Sequence, residues 1–155
     1  MPISSALYSS RSEEWATPWE LYEVLNREFH FSLDPCATRL NAKCPKFFSK
    51  TGDGLKQDWS GDRVFMNPPY GKQIGLWMRK ARTEASRGAL VVCLVHARTD
   101  TRWWHENVQT QADEVRFLRG RVRFLRGNGM ASSSPFPSAL VIYRPKIKPS
   151  WESRG

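Results

Sequence analysis

Cysteine is scarce in this chain. The 155 residues hold three, Cys36, Cys44 and Cys93, and no two of them form a Cys-x-x-Cys pair. An odd count with that spacing argues against a disulfide framework and against a structural zinc site. Reduced thiols in a cytoplasmic protein are the expectation. Histidine is also sparse, with three residues, and no cluster has metal-ligand spacing, so no metal is expected. No apolar run is long enough to span a membrane and no secretory leader is visible, so no membrane partner is expected. Acidic residues are outnumbered: 15 Asp and Glu face 24 Lys and Arg, for a net charge of +9. That balance suits a phosphate backbone or another polyanion, although it says nothing of fold.

What remains is a folded protein. Forty per cent of the residues are hydrophobic and seven are tryptophans, and the length suffices for one core. Residues 1–12 are polar and rich in serine, and read as a loosely held N-terminus. Residues 13–144 read as one domain and 145–155 as a tail containing Pro145 and Pro149. Thr17, Pro18 and Glu20 have the pattern of an N-cap, a first helical position and a capping box, and an apolar face continues to Phe29. Residues 31–37 read as a strand running into an Asp34-Pro35 turn. Asn41 to Cys44 looks like a short helix stopped by Pro45, and Phe47-Phe48 like a second strand. Ile74, Trp77, Met78, Ala81 and Ala85 stripe a helix from about 73 to 86, closed by Gly88. Ala89 to Val95 is a continuous β-branched run suited to the middle of a parallel sheet. A helix containing Trp103 and Trp104 follows, and Ser138 to Tyr143 is a closing strand. The hexapeptide Val115-Arg116-Phe117-Leu118-Arg119-Gly120 recurs as Val122 to Gly127. Its two copies read as strands of a hairpin turning at Gly120-Arg121, apolar face inward. Strand–helix alternation with a late hairpin predicts an α/β fold.

The chemistry gathers at Asn67-Pro68-Pro69-Tyr70. The apolar run Val64-Phe65-Met66 precedes this tetrad and Gly71 follows it, which places it at the end of a buried strand. Open α/β sheets put ligands at such ends. An amino group on an aromatic ring is a poor nucleophile because its lone pair is delocalised. Two acceptors on its two N–H groups localise that pair and aim it. Asn67 offers a side-chain carbonyl and Pro68 a backbone carbonyl with φ fixed by the ring. Tyr70 offers a flat face for a base. A base in a duplex reaches such a pocket only when flipped out. The bland alternative is a rigid Pro-Pro turn.

Asn-Pro-Pro-Tyr after a strand resembles the motif of amino-methyltransferases that use S-adenosylmethionine. The stretch Gln57-Asp58-Trp59 through Gly71 is similar to the small phage and prophage DNA N6-adenine methyltransferases of the Dam type, as is Ala97-Arg98-Thr99-Asp100-Thr101-Arg102-Trp103. The resemblance covers roughly residues 13–144. It implies a compact, single-domain, Rossmann-like S-adenosylmethionine-dependent methyltransferase fold with a mostly parallel sheet. It also implies methyl transfer to a flipped adenine in double-stranded DNA, in a bacterial host cell. Asn67, Pro68, Pro69 and Tyr70 would then be catalytic. Trp15, Thr17 and Pro18 would close over the methionine end of the cofactor. Asp34 and Pro35 would form the cofactor loop, the carboxylate facing the methionine ammonium, and Asp58 would meet the cofactor adenine. Ala37 and Thr38 stand where a glycine-rich loop is usual, although the phage type, with a similar Asp-x-Cys-Ala stretch, does not require those glycines.

For DNA, the candidates are Arg119, Arg121, Arg123 and Arg126 as phosphate contacts, Arg98, which with Asp100 would position the flipped nucleotide or order the pocket, and Phe136 as a second stacking face. Residues 127–134, rich in glycine and serine, read as a flexible loop. Plainer roles stand beside these: Asp34 as a turn residue, Asp100-Thr101 as a helix cap, Trp59 and Phe136 as core, His105 as a surface histidine. The same tetrad serves RNA and protein-glutamine methyltransferases, and a non-catalytic DNA-binding relic would share the fold.

Overall fold

The computed structural model describes residues 15–38, 41–126 and 129–154. Its frame is a sheet of four strands in the order β1, β2, β6, β3: β1 is Arg63–Met66, β2 Leu90–His96, β3 Glu114–Phe117 and β6 Ser138–Tyr143. β1 and β2 are parallel, with Met66 opposite Cys93. β6 is antiparallel to both β2 and β3. Two single bridges extend the parallel side beyond β1, Leu33 to Val64 and Asp34 to Phe47. The sheet is therefore mixed. The segments expected as strands at 31–37 and 47–48 contribute only these bridges.

Period-two alternation decides where the helices go. Phe65, Val92, Leu94, Leu140 and Ile142 point to one face, where they pack with Tyr22, Leu25 and Phe29. Those three form the buried stripe of α1, Trp19–Phe29. Val64, Met66, Val91, Cys93, Val95, Val141 and Tyr143 point to the other face, against Trp77, Met78, Ala81 and Ala85. Those four belong to α2, Ile74–Ser86. A short helix α3, Arg102–Trp104, runs into a π-helical turn at His105–Gln109 on the α2 side. Among the described residues no helix is long and apolar enough to cross a membrane.

Local chemistry overrides several sequence expectations. Thr17 does not cap α1: the helix starts at Trp19 behind Pro18, with no side-chain cap bond. Residues 41–44 form turns rather than helix. There the Lys43 N–H donates to the Asp34 carboxylate at 3.0 Å, and the Asn41 side chain accepts from Thr38 N at 2.7 Å. Both bonds divert backbone donors away from a helical ladder. Thr101 does cap α3, accepting from Trp104 N at 3.3 Å. Trp59 is wholly buried, and its backbone N–H donates at 2.6 Å to Glu84, a buried carboxylate on α2. Gly54 is sterically required: a Cβ there would stand 2.3 Å from the Pro35 carbonyl oxygen.

The repeated hexapeptide does not form a hairpin with itself. Its first copy supplies β3, at the edge of the main sheet. Its second supplies β4, Arg123–Leu125, which pairs antiparallel with β5, Ala131–Ser133. That ribbon occupies part of the expected flexible loop; residues 127–128 lie outside the described residues, as does the 1–12 segment. On its free side β4 bonds to the segment before α1, with Ala16 and Leu125 exchanging N–H···O bonds of 2.9 Å each.

Candidate active site

Parallel pairing brings the chemistry to one edge. Leu33, Val64 and Val91 run in the same direction, so Asp34, Asn67 and His96 all emerge at the same end of the sheet. β6 runs the opposite way, so the residues just before it, including Phe136, enter at that end too. The β4–β5 ribbon holds residues 15–17 above it.

Asn67 is fixed by both ends of its amide. Its Nδ2 donates to the Trp15 carbonyl at 2.9 Å and to Thr17 Oγ1 at 3.1 Å. A backbone carbonyl only accepts, which settles which end of the amide is nitrogen. Oδ1 accepts from the Tyr70 hydroxyl at 3.1 Å, and that hydroxyl also lies 3.4 Å from the Leu94 carbonyl. Burial raises the Tyr70 phenol well above its ordinary pKa and keeps it a donor. The Thr17 hydroxyl, expected as a helix cap, is thus an orienting group for Asn67.

An open cavity lies beside this amide. Trp15, Thr17, Asp34, Asn67, Pro68 and Pro69 line it, as do Cys36, Asn41, Lys43 and Phe65. Asp34 is buried and accepts from Cys36 N at 3.2 Å and Lys43 N at 3.0 Å. Desolvation raises its pKa against the pull of those two N–H groups. Pro18 and Pro35 adjoin the wall without lining it. Asp58 is placed elsewhere. It is exposed, accepts from Ser60 N at 2.8 Å, and precedes β1 on the side away from Asn67. A four-residue strand separates the two ends by about 13 Å at ~3.3 Å per residue, so the Asp58 carboxylate belongs to a turn and not to the cavity wall.

Next to the cavity the aromatic rings form a box. The Tyr70 and His96 rings stack at 3.8 Å and 15°. Phe136 stands 5.2 Å from His96, and Trp15 and buried Phe124 complete the group, 5.6 Å apart. Arginines cap its rim: Arg98 lies 4.2 Å over Phe136 and Arg126 4.6 Å over Trp15. His96 Nε2 is buried with no hydrogen-bond partner among the described residues. Burial, and then Arg98, push its pKa down to about 4, so the ring is neutral. Arg119, Arg121 and Arg123 are exposed along β4 and the link before it. Sequence reasoning missed His96, Phe124 and Lys43. His96 and Phe124 lie far from their site partners in the chain, Lys43 lies close to Asn41 and Asp34, and none of the three carries a local motif.

The whole arrangement, from Trp15 to the end of β6, falls within a single sequence relationship. The family model described as DNA N-6-adenine-methyltransferase (Dam) matches residues 4–152. The chain belongs to the Dam family. It is similar to a DNA N-6-adenine-methyltransferase of Haemophilus phage HP1 (strain HP1c1), 27% identical over 150 residues, which covers 94% of this chain and 87% of that Dam relative. It is also similar to a DNA N-6-adenine-methyltransferase of Escherichia phage T1, 28% identical over 121 residues. That second match covers 77% of this chain and 50% of the T1 protein.

Proposed function

We propose that this Dam-family protein methylates adenine N6 in double-stranded DNA, with S-adenosylmethionine as donor and the target base flipped out of the helix. The observation that carries the reading is the Asn67 amide. Two acceptors pin its nitrogen, so its carbonyl oxygen has a fixed direction beside a cavity. That oxygen has a second lone pair beyond the one used by Tyr70. The cavity suits the cofactor in chemistry: it offers a buried carboxylate, a buried lysine and an aromatic wall.

S-adenosylmethionine, when bound, supplies a sulfonium methyl that is already electrophilic. The protein's share is orientation. Asn67 Oδ1 and the Pro68 carbonyl accept the two N–H bonds of the adenine amine. They concentrate the nitrogen lone pair and aim it along the line of transfer. Tyr70, backed by His96, and Phe136 hold the base by stacking. Trp15, Thr17, Asp34 and Asn67 would hold the donor, which would supply the methyl group and keep the electrons of its S–C bond as the adenine nitrogen bonds to the methyl carbon. The nitrogen then carries a positive charge and sheds its proton without a strong base. Arg98, Arg119, Arg121, Arg123 and Arg126 contact phosphates around the opening. We read the sheet, with its parallel side at the cavity, as a compact Rossmann-like scaffold, and place the protein in the cytoplasm of a bacterial host.

The test is transfer of labelled methyl from S-adenosylmethionine to unmethylated duplex DNA, followed by nucleoside analysis, for wild type and Asn67→Ala. Label in N6-methyladenine, reduced at least ~100-fold by the substitution, is the expected result. Wild-type label in RNA or protein but not in DNA would overturn the substrate assignment.

A further inference from the structure

The cavity holds a charge that the catalytic reading does not use. Lys43 is 9% exposed and lines the wall next to Asp34. Its ammonium donates to the Asn41 carbonyl at 3.3 Å and lies 4.2 Å over the Trp19 ring. Neither neighbour is an anion, and among the described residues no carboxylate is within ion-pairing distance of it. Asp34, whose charge acts on it, accepts one backbone N–H on each oxygen, from Cys36 and Lys43, and keeps a further lone pair on each. Burial accordingly lowers the Lys43 pKa, and only the Asp34 charge opposes the shift.

A buried ammonium with one neutral acceptor is costly, because desolvation is not returned by a partner. Three donors with a single acceptor leave two N–H bonds without a partner among the described residues. The cost falls when a ligand brings an anion to that wall. One wall thus presents a carboxylate and an ammonium side by side, the complement of a zwitterion. An α-amino acid headgroup has that pattern, and of the ligands proposed above the cofactor alone carries one.

We infer that Lys43 binds the α-carboxylate of the cofactor's methionine arm, while Asp34 faces its α-ammonium. Trp19, the first residue of α1, lays its ring against the ion and is itself exposed. This assignment rests on the S-adenosylmethionine reading and adds to it a positioning residue: the carboxylate anchor fixes the arm, and through it the direction of the methyl group.

Calorimetric titration of the full chain tests it with two ligands, S-adenosylhomocysteine and its decarboxylated analogue, which keeps the amine and loses the carboxylate. Wild type is expected to bind the first about 10- to 100-fold more tightly, the worth of a buried charge-assisted bond. Lys43→Met should weaken S-adenosylhomocysteine by that factor and leave the analogue within about threefold. Wild type binding both ligands equally overturns the assignment without any variant, and so does a variant that loses both equally. Intact S-adenosylhomocysteine binding with weakened duplex DNA binding in Lys43→Met also overturns it, and makes Lys43 a phosphate contact. Wild type that binds neither ligand removes the cofactor reading itself, and this inference with it.

Discussion

At the scale of the residue, His96 shows how the site balances stacking against charge. Its ring lies flat on Tyr70, and burial with a neighbouring arginine holds its pKa near 4, against an ordinary 6.5. The folded state therefore binds this proton less readily than the unfolded chain. Its stability contribution is complete above pH ~6.5 and is lost as pH falls toward the folded value. By pH 4.5 the loss attributable to His96 is roughly 2–3 kcal/mol. Asp34 shifts upward and acts in the opposite sense, but it is common to both proteins in a paired comparison. Urea unfolding of wild type and His96→Phe at pH 7.0 and 4.5 should therefore show a smaller acid loss in the variant; equal losses would contradict a buried neutral imidazole. The same scale divides what a sequence reveals. Asn67 was legible because its neighbours Pro68, Pro69 and Tyr70 carry its meaning with it. Thr17 reads locally as a cap as well as part of a cofactor motif, and the cap is not formed: its hydroxyl partner, the Asn67 amide, is 50 residues away.

At the scale of the element, the duplicated hexapeptide separates local propensity from environment. Val-Arg-Phe-Leu-Arg-Gly forms strand in both places, as its alternation predicts. Phe117, at the end of edge strand β3, is 66% exposed, whereas Phe124 in β4 is 0% exposed. The two rings differ because residues 15–17 and the aromatic box cover one copy and not the other. Phe124→Ala should cost about 3–5 kcal/mol. Phe117→Ala should cost less than about 1 kcal/mol. Thermal or urea melts of the two variants check this, and similar losses would mean that the copies share one environment. The hairpin expected between the copies fails for a related reason: each finds a better neighbour, β6 for the first and β5 for the second.

Across the whole fold, two of the positive charges stand beside the cavity and three more are exposed on and just before β4. Arg98 and Arg126 sit on aromatic rings at the rim, and Arg119, Arg121 and Arg123 are exposed on the adjoining ribbon. By contrast, Arg116 is held by Glu28 and Glu114 at 2.5–2.7 Å and is not free for phosphate. Replacing Arg119, Arg121 and Arg123 by alanine should weaken DNA binding uniformly across sequences. It should also flatten the plot of log affinity against log salt by up to about 0.9 per lost contact. S-adenosylhomocysteine binding should not change. Titrations at several salt concentrations measure both; an unchanged slope would place the phosphate track elsewhere.

From sequence alone come the helices α1 and α2, the strands β1, β2 and β6, the placement of Asn-Pro-Pro-Tyr at a strand end and the basic character of the chain. These follow from periodicity, turn chemistry and charge, all of which act between near neighbours in the chain. Contacts across the fold supplied the rest: the antiparallel insertion of β6 beside β2, the grip of Trp15 and Thr17 on Asn67, the His96 stack on Tyr70, the placement of Asp58 away from the cavity and the burial of Lys43 within it. Each of these is a contact, or a missing contact, between segments distant in sequence. Their energies arise from burial and partner geometry, which exist only once the sheet has brought its strand ends to one edge.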